Sequence, residues 1–350
     1  MNNLNKEKSQ ILTIFLITLL VLGGFFGLLL SLTGNFLPRR ASNRANNATE
    51  NDSEIVSGAL KSITAVPQGI YKYGGSATMV PIRQVIGRLV SSTFPGFQLR
   101  NIDPLGSAPN STTGINMMLS GELSFSDSSR SVKPEEHEIA DSLGFELQQL
   151  PVAIDGIAIV VHPELNIEGL TLDQLKSIFL GQVTNWLEVG GPDLAIQPFS
   201  MLASTSGTAN FFVERILDGE PLSARVEVIN ETTPVLRRVA SIPGSIYYVS
   251  APLAVPQCSV KTLPLATAEG RPFIAPYQTP AIDLSNCPEQ RNQINKDAFR
   301  NGTYPLTRRL FVVTKKGESD DAIAGQAYGD IVLSNEGQAL VEEAGFVNIR

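Results

Sequence analysis

IYKYGGSATM, residues 70–79, decides the fold of this chain, because it passes from a strand-like run through a glycine turn into a helix-like run. Residues 70–73 predict a strand, and residues 79–93 predict the helix that follows it. Ser76 and Thr78 stand at the helix start, where unpaired backbone N–H groups and the positive end of the helix dipole favour an anion. The stretch therefore predicts a strand, a turn able to hold an anion, and a helix.

The same kind of turn recurs along the chain as NSTTG at 110–114 and STSGT at 204–208, and SSR follows a strand-like run at 128–130. Each turn alone also fits an ordinary helix N-cap, since Ser, Thr and Asn are the preferred capping residues. Together, the recurring turns favour a shared anion site.

Strand-like and helix-like segments alternate over most of the chain, which predicts the α/β class, with ligands bound at the carboxyl ends of strands. Further helices are predicted after Gly114 and at 135–143, 171–179, 209–217, 234–240 and 321–344, and further strands at 97–102, 123–126, 145–154, 157–162, 196–201, 226–229, 246–250 and 306–314.

Composition excludes two broad classes of protein. With 350 residues, 43% hydrophobic and 17% charged, the chain has ordinary globular composition rather than that of a disordered protein. The net charge of −7 and the lack of a basic stripe interleaved with aromatic residues argue against nucleic-acid binding. Local dipoles, rather than net positive charge, must hold any bound anion.

An uncharged run of 22 residues, 11–32, is long enough to cross a bilayer as a helix. A cleaved signal usually has a shorter apolar region and a small-residue cleavage site, so an uncleaved anchor is favoured over a signal peptide. We expect a cytoplasmic segment at 1–10, this anchor at 11–32, and a flexible tether at 33–65 that is rich in Asn, Ser and charge.

Cys258 and Cys287 are the only cysteines. In an oxidising compartment they can form one disulfide, stabilising the fold by roughly 3 to 4 kcal/mol. Two buried free thiols are the alternative.

Catalysis and cofactors are not expected. Two histidines, without a G-x-S-x-G elbow, do not fit a nucleophilic hydrolase, and clusters typical of a metal site are absent from the sequence. The G-x-x-x-x-G-K-[ST] phosphate loop is also absent. The sequence thus predicts a protein that binds a ligand without transforming it.

From residue 70 onward the chain resembles the PstS-type solute-binding proteins of bacterial phosphate ABC importers, which have the two-lobed periplasmic binding protein fold. The motifs that carry the resemblance are GSAT at 75–78, STTGI at 111–115 with GELSF at 121–125, SSR at 128–130, SGT at 206–208, LDQL at 172–175 with IFLG at 178–181 and NW at 185–186, and GSIYY at 244–248.

The resemblance implies two lobes, each a mixed sheet flanked by helices, with phosphate enclosed between them. Residues 66–153 and 305–350 would form lobe 1, and residues 154–304 would form lobe 2. The chain would cross between them near 151–155 and 304–306. Carried over by position, the ligand contacts would be Ser76, Thr78, the N–H of Met79, Ser111, Thr112, Ser129, Arg130, Ser206, Gly207 and Thr208.

Two departures from the family pattern affect the expected site. The family usually has an Arg shortly before S-G-T, where this chain has Leu202, so we expect Arg130 to provide the main charge-assisted contact. Some members carry an Asp that accepts the proton of hydrogen phosphate; here Asp127 or Asp155 is the candidate. Without such an acceptor, discrimination against sulfate would be weaker.

The resemblance implies a monomeric, extracytoplasmic protein, anchored to the plasma (inner) membrane by its N-terminal helix, that captures inorganic phosphate and delivers it to ABC permease subunits. The alternatives are a receptor for another tetrahedral oxyanion, such as sulfate or a phosphate ester, and a membrane-anchored phosphate sensor without a transport role.

Overall fold

A nine-stranded mixed sheet forms the framework of the protein. The computed structural model describes residue 60, residue 63 and residues 65–349. The expected cytoplasmic segment (1–10), the anchor (11–32) and most of the tether (33–65) lie outside the described residues. Within them, no helix has both the length and the apolar character needed to cross a membrane.

The strands, in chain order, are β1 (Gly69–Gly75), β2 (Phe97–Asn101), β3 (Phe125–Ser128), β4 (Leu147–Val161), β5 (Leu170–Thr171), β6 (Gln197–Ser200), β7 (Glu227–Val228), β8 (Ser245–Ser250), β9 (Lys261–Leu263), β10 (Leu265–Ala266) and β11 (Thr307–Lys315).

The helices are α1 (Val80–Thr93), α2 (Ser111–Leu119), α3 (Pro134–Ser142), α4 (Leu172–Phe179), α5 (Gly207–Arg215), α6 (Thr232–Ser241), α7 (Ala251–Ala254), α8 (Lys296–Arg300), α9 (Asp320–Leu333) and α10 (Asn335–Glu343). Short 3₁₀ turns occupy Ala77–Met79, Trp186–Val189 and Leu284–Asn286.

Strand β4 connects the two ends of the large sheet. The strand order is β2-β1-β3-β11-β4-β8-β6-β7, and β9 also pairs with β4. Residues 147–156 of β4 pair with β11, whereas residues 157–161 pair with β8 and β9. The small sheet consists of β5 and β10. One strand of 15 residues therefore belongs to both halves of the molecule.

The buried apolar residues separate at the middle of β4. One core is built mainly from residues 157–306 and includes Trp186 and Phe212. A second core includes Tyr73, Phe125 and Tyr328, and a third, smaller core lies beneath α2 and α3. Residues 157–161 of β4 are buried on both faces, which explains their continuous apolar sequence.

Side-chain caps fix the starts of the helices that follow the hydroxyl-rich turns. At α2, Asn110 Oδ1 accepts from the Thr113 N–H at 3.0 Å, and Thr113 Oγ1 accepts from the Asn110 N–H at 3.1 Å. At α5, Ser206 Oγ accepts from the Ala209 N–H at 3.2 Å. These caps satisfy helix donors that would otherwise lack partners, and they fix where each helix begins.

The mixed α/β class expected from the sequence is confirmed, and most helices begin within about two residues of their predicted positions. The strands expected separately at 145–154 and 157–162 form one strand, β4, and the halves share one continuous sheet instead of having a sheet each. Asp155 and Gly156 interrupt the apolar pattern, but cross-strand pairing with β11 keeps them extended.

Cys258 and Cys287 are joined by a disulfide in the half that contains residues 157–306. This is the first of the two alternatives that the sequence left open.

Candidate functional site

Three serine hydroxyls from three separate segments meet at one point. Ser76 Oγ donates to Ser129 Oγ at 3.0 Å, and the oxygens of Ser111 and Ser129 lie 3.2 Å apart. The Ser129 N–H also donates to Ser111 Oγ at 2.9 Å. We call Ser76, Ser111 and Ser129 the serine cluster; each is at most 2% exposed.

The sheet topology explains this convergence. Strands β1 and β3 are parallel neighbours, so Ser76 and Ser129 follow adjacent carboxyl ends. Ser111 is the first residue of α2, which packs against both strands. Gly114 makes this packing close, because a Cβ there would lie 2.4 Å from the Gly75 Cα. Hydroxyl protons can rotate, so all three serines can turn their donors toward an incoming oxyanion.

The start of α5, from the other half of the molecule, lies over the serine cluster. A Cβ built on Gly207 would lie 2.8 Å from Ser129 Oγ and 3.8 Å from the oxygens of Ser76 and Ser111. Gly207 and Thr208 are the first two residues of α5, so their N–H groups have no partner within the helix. The helix dipole makes this end favourable for negative charge.

Arg308 lies beside this region and joins the two halves. It is on β11, directly opposite Asp155 on β4, and its Nε and Nη2 donate to Asp155 Oδ2 at 3.0 and 2.9 Å. Nη1 donates to the Gly207 carbonyl at 3.1 Å. Nη2 also donates to the hydroxyls of Thr78 and Thr208 at 3.0 and 2.9 Å.

These contacts orient two of the predicted ligand residues. Thr78 and Thr208 each accept a hydrogen bond from Arg308, so each retains its own O–H as a donor. Arg308 is 6% exposed, and its charge is paired with that of Asp155. Arg308 therefore acts on the candidate site through the two threonines.

Asp155, a predicted proton acceptor, is occupied by protein donors. Its Oδ2 accepts from Arg308, and its Oδ1 accepts from the Ser250 hydroxyl at 2.6 Å. Burial raises the pKa of Asp155, while the Arg308 charge and the Ser250 hydrogen bond lower it. In the structure this carboxylate balances Arg308.

Asp127, the other predicted acceptor, faces a different part of the molecule. Its Oδ2 accepts from Arg83 Nη1 at 3.1 Å, beneath the aromatic group of Tyr73, Phe125 and Tyr328. Burial raises the pKa of Asp127 to about 6, although Arg83 opposes the shift. Its backbone carbonyl does reach the site, where it accepts from the Ser76 N–H at 3.0 Å.

Arg130, expected to provide the main charged contact, is engaged elsewhere. Its two terminal nitrogens donate to the two carboxylate oxygens of Glu136 at 2.9 and 2.7 Å. Nη2 also donates to Thr112 Oγ1 at 2.9 Å. Arg130 is thus paired with Glu136 and bonded to Thr112, and its expected contact with the ligand stays a prediction. The sequence position alone did not reveal the Glu136 partner.

Two other predicted contacts are less well placed than the serine cluster. The Met79 N–H donates to the Ser76 carbonyl at 3.0 Å within the 3₁₀ turn. Thr112 is exposed and accepts a hydrogen bond from Arg130.

The remaining predicted contacts lie at the start of α5. Ser206 caps this helix, and Gly207 and Thr208 are its first two residues. Of the predicted residues, the structure therefore brings Ser76, Thr78, Ser111, Ser129 and 206–208 together.

Sequence reasoning did not identify Arg308. The available signal was a charge at each of two apolar stretches: Asp155 between the strand-like runs 145–154 and 157–162, and Arg308 inside the run 306–314. Buried charges are normally paired, so these residues were candidates for each other. Only the antiparallel register of β4 and β11 specifies that pairing.

The sequence of this chain matches a known family. A family model described as the PBP superfamily domain matches residues 82–336. The phosphate-binding protein PstS of Staphylococcus epidermidis is 26% identical over 285 residues, covering 80% of this chain and 79% of that protein. The protein of the same name from Pseudomonas aeruginosa is 28% identical over 261 residues, covering 71% and 74%.

Solved structures agree at the level of the fold. An ABC-type phosphate transport receptor from Vibrio cholerae has a TM-score of 0.61 at 21% identity, covering 79% of this chain and 99% of its own. PstS from Borrelia burgdorferi has a TM-score of 0.54 at 23% identity, covering 81% and 100%.

The fold is that of the periplasmic binding proteins, and the candidate site lies between its halves. The chain belongs to the PBP superfamily. The resemblance to PstS-type phosphate-binding proteins, expected from the sequence motifs, is confirmed.

Proposed function

We propose that this protein captures inorganic phosphate between two lobes and delivers it to an ABC importer. The observation that carries the proposal is the convergence of the serine cluster from one half with the start of α5 from the other. Hydroxyl and amide donors around a helix N-terminus suit a small oxyanion. The relatives named PstS and the phosphate transport receptor supply the ligand's identity.

The binding step would be closure of the two lobes. Lobe 1 comprises 66–153 and 305–350, lobe 2 comprises 154–304, and β4 and β11 carry the crossings between them. Ligand favours the closed form only if both lobes contact it there, which the serine cluster and Gly207 would do from opposite sides. Arg308 supports closure, since its donors reach Thr78 in one lobe and Thr208 in the other.

We infer an extracytoplasmic location, with residues 11–32 as the membrane anchor and the binding lobes acting as a monomer without catalysis. The length and apolar character of that segment support the anchor. Cell fractionation tests it: full-length chain in the membrane fraction supports the anchor, and a chain shortened past residue 34 in the soluble fraction contradicts it.

Isothermal titration of the detergent-purified full-length chain with phosphate tests the function. Ser129→Ala should weaken binding by roughly 10- to 100-fold, because a hydrogen bond to a charged group contributes about 1.5 to 3 kcal/mol. Ser91→Ala, on the exposed face of α1, is the matched control and should bind as the parent does. Equal phosphate affinity of Ser129→Ala and Ser91→Ala would show that the serine cluster does not contact the ligand.

Sulfate is a second candidate ligand, favoured by the engagement of both predicted proton acceptors with arginines. A site without a free carboxylate has little means of rejecting a fully ionised oxyanion. Competition titrations measure the preference: selectivity for phosphate over sulfate below about 100-fold is expected, whereas a much larger ratio would require an acceptor group.

A further inference from the structure

A cavity of about 280 Å³ adjoins the candidate anion site. It extends between the start of α1 in one half and β8 with α7 in the other, and it shares Thr78 and residues 206–208 with the anion site. The serine cluster does not line it. The cavity is therefore an extension of the site, and its size is close to the lower end of the roughly 300–1,000 Å³ typical of small-molecule pockets.

The lining of this cavity does not suit a second ion. Its walls include Val80, Pro81, Met201, Val249 and Phe346, and none of the described residues that line it is charged. Hydroxyl groups at Thr78, Thr205, Ser206 and Thr208 lie on the side that meets the anion site, and those of Thr232, Tyr247 and Ser250 lie among the apolar walls. The Ser250 hydroxyl already donates to Asp155. The combined volume thus has an anion-binding end and a largely apolar end.

We propose that the site accepts phosphorus oxyanions that carry one small apolar substituent, such as short alkyl phosphonates or phosphate monoesters. This inference rests on the proposed function, because the phosphoryl oxygens would occupy the site beside the serine cluster. The substituent would extend past Thr78 and residues 206–208, which border both the anion site and the cavity. Water released from Val249 and Met201 would then favour the substituted ligand over a ligand with a shorter chain.

A homologous series of ligands isolates the contribution of the cavity. Methyl-, ethyl- and propylphosphonate share one head group, so differences in affinity report the alkyl chain alone. Isothermal titration of the full-length chain should show affinity rising about fourfold with each added methylene, as expected for burial of a CH₂ group. Inorganic phosphate is titrated in parallel.

Filling the cavity should abolish the rise in affinity with alkyl chain length and leave the affinity for inorganic phosphate unchanged. Val249→Phe places a larger side chain in the cavity wall. Leu253→Trp also enlarges a wall residue, and because Leu253 is 42% exposed, this change should disturb folding less. Val228→Phe, at a surface position that is 42% exposed, is the control and should keep the fourfold increments.

The outcomes separate the two proposals. If phosphate binds but affinity stays flat or falls along the series, the cavity does not take the substituent and the inference is wrong while the proposed function stands. If increments persist in both cavity variants, the chain lies elsewhere and the inference is also wrong. If neither phosphate nor any phosphonate binds, the proposed function itself fails.

Discussion

Arg308 links the two halves of the protein at the candidate site. The guanidinium uses Nε, Nη1 and Nη2 to contact Asp155, Gly207, Thr78 and Thr208. The planar fork of arginine can satisfy several acceptors at fixed angles, which the single ammonium group of lysine cannot do. Its ion pair with Asp155 is almost completely buried, so neither charge can be removed alone without leaving the other uncompensated.

Arg308→Gln should destabilise the protein by about 3 to 5 kcal/mol, because Asp155 would remain buried without its counter-charge. Phosphate affinity should also fall, since Thr78 and Thr208 lose the donor that orients them. Urea unfolding and isothermal titration measure the two effects. Arg309→Gln, at the exposed neighbouring position, is the control. Equal stability of the two variants would show that the Arg308 contacts are unimportant.

Helix α5 shows how one element can serve both packing and binding. Ala209 and Phe212 on its inner side are buried, and the Phe212 ring stacks on Tyr248 with centroids 3.8 Å apart. This packing fixes the direction of the helix and therefore the direction of its free N–H groups. Gly207 at its first turn allows the start of the helix to lie close to the serine cluster.

Gly207→Ala should weaken phosphate binding by at least about tenfold, because the added methyl group would lie 2.8 Å from Ser129 Oγ, in the space assigned to the ligand. Stability should also fall, because a contact of 2.8 Å forces Ser129 or the start of α5 to move. Isothermal titration and thermal unfolding provide the measurements.

Gly87→Ala, in the interior of α1, is the matched control for this change. The nearest atom to its added Cβ would be the Tyr73 hydroxyl at 4.0 Å. It should bind phosphate normally and gain about 0.5 to 1 kcal/mol of stability. If Gly207→Ala also bound phosphate normally, the ligand could not lie between α5 and the serine cluster.

At the scale of the whole molecule, buried charge makes stability depend on pH. Burial raises the pKa of Asp127 to about 6, with Arg83 opposing, whereas the unfolded chain would titrate near 3.8. Between these values the folded state holds a proton that the unfolded state has released. The free energy of unfolding therefore falls as pH rises from 4 to 6, by an amount on the order of 3 kcal/mol.

Asp127→Asn should remove this part of the pH dependence, because the amide does not titrate. Urea unfolding at pH 4, 5, 6 and 7 measures it through fluorescence of the single Trp186, which is completely buried. The pKa of Asp155 is also raised, so the difference between parent and variant, rather than the parent slope, isolates Asp127. Asp141→Asn, at an exposed position, should keep the parent slope. Identical slopes in all three proteins would contradict the role of Asp127.

Local sequence patterns predicted the elements well because their causes are local. Asn110 and Ser206 are caps whose partners lie three residues away, so the starts of α2 and α5 could be inferred from short stretches. The hydroxyl groups of Ser76, Ser111 and Ser129 could be assigned to turns for the same reason. The continuity of β4 was missed because its extended form at Asp155 depends on pairing with a strand some 150 residues later.

By itself, the sequence determined the α/β class, the hydroxyl-rich turns and the family resemblance, since each is written in residues close together in the chain. Tertiary structure alone decided which partners the charged residues have. Arg130 pairs with Glu136, and Arg308 reaches the candidate site from a distant strand. The physical reason is that a charge acts through its nearest partners in space, and strand register and helix packing set those partners.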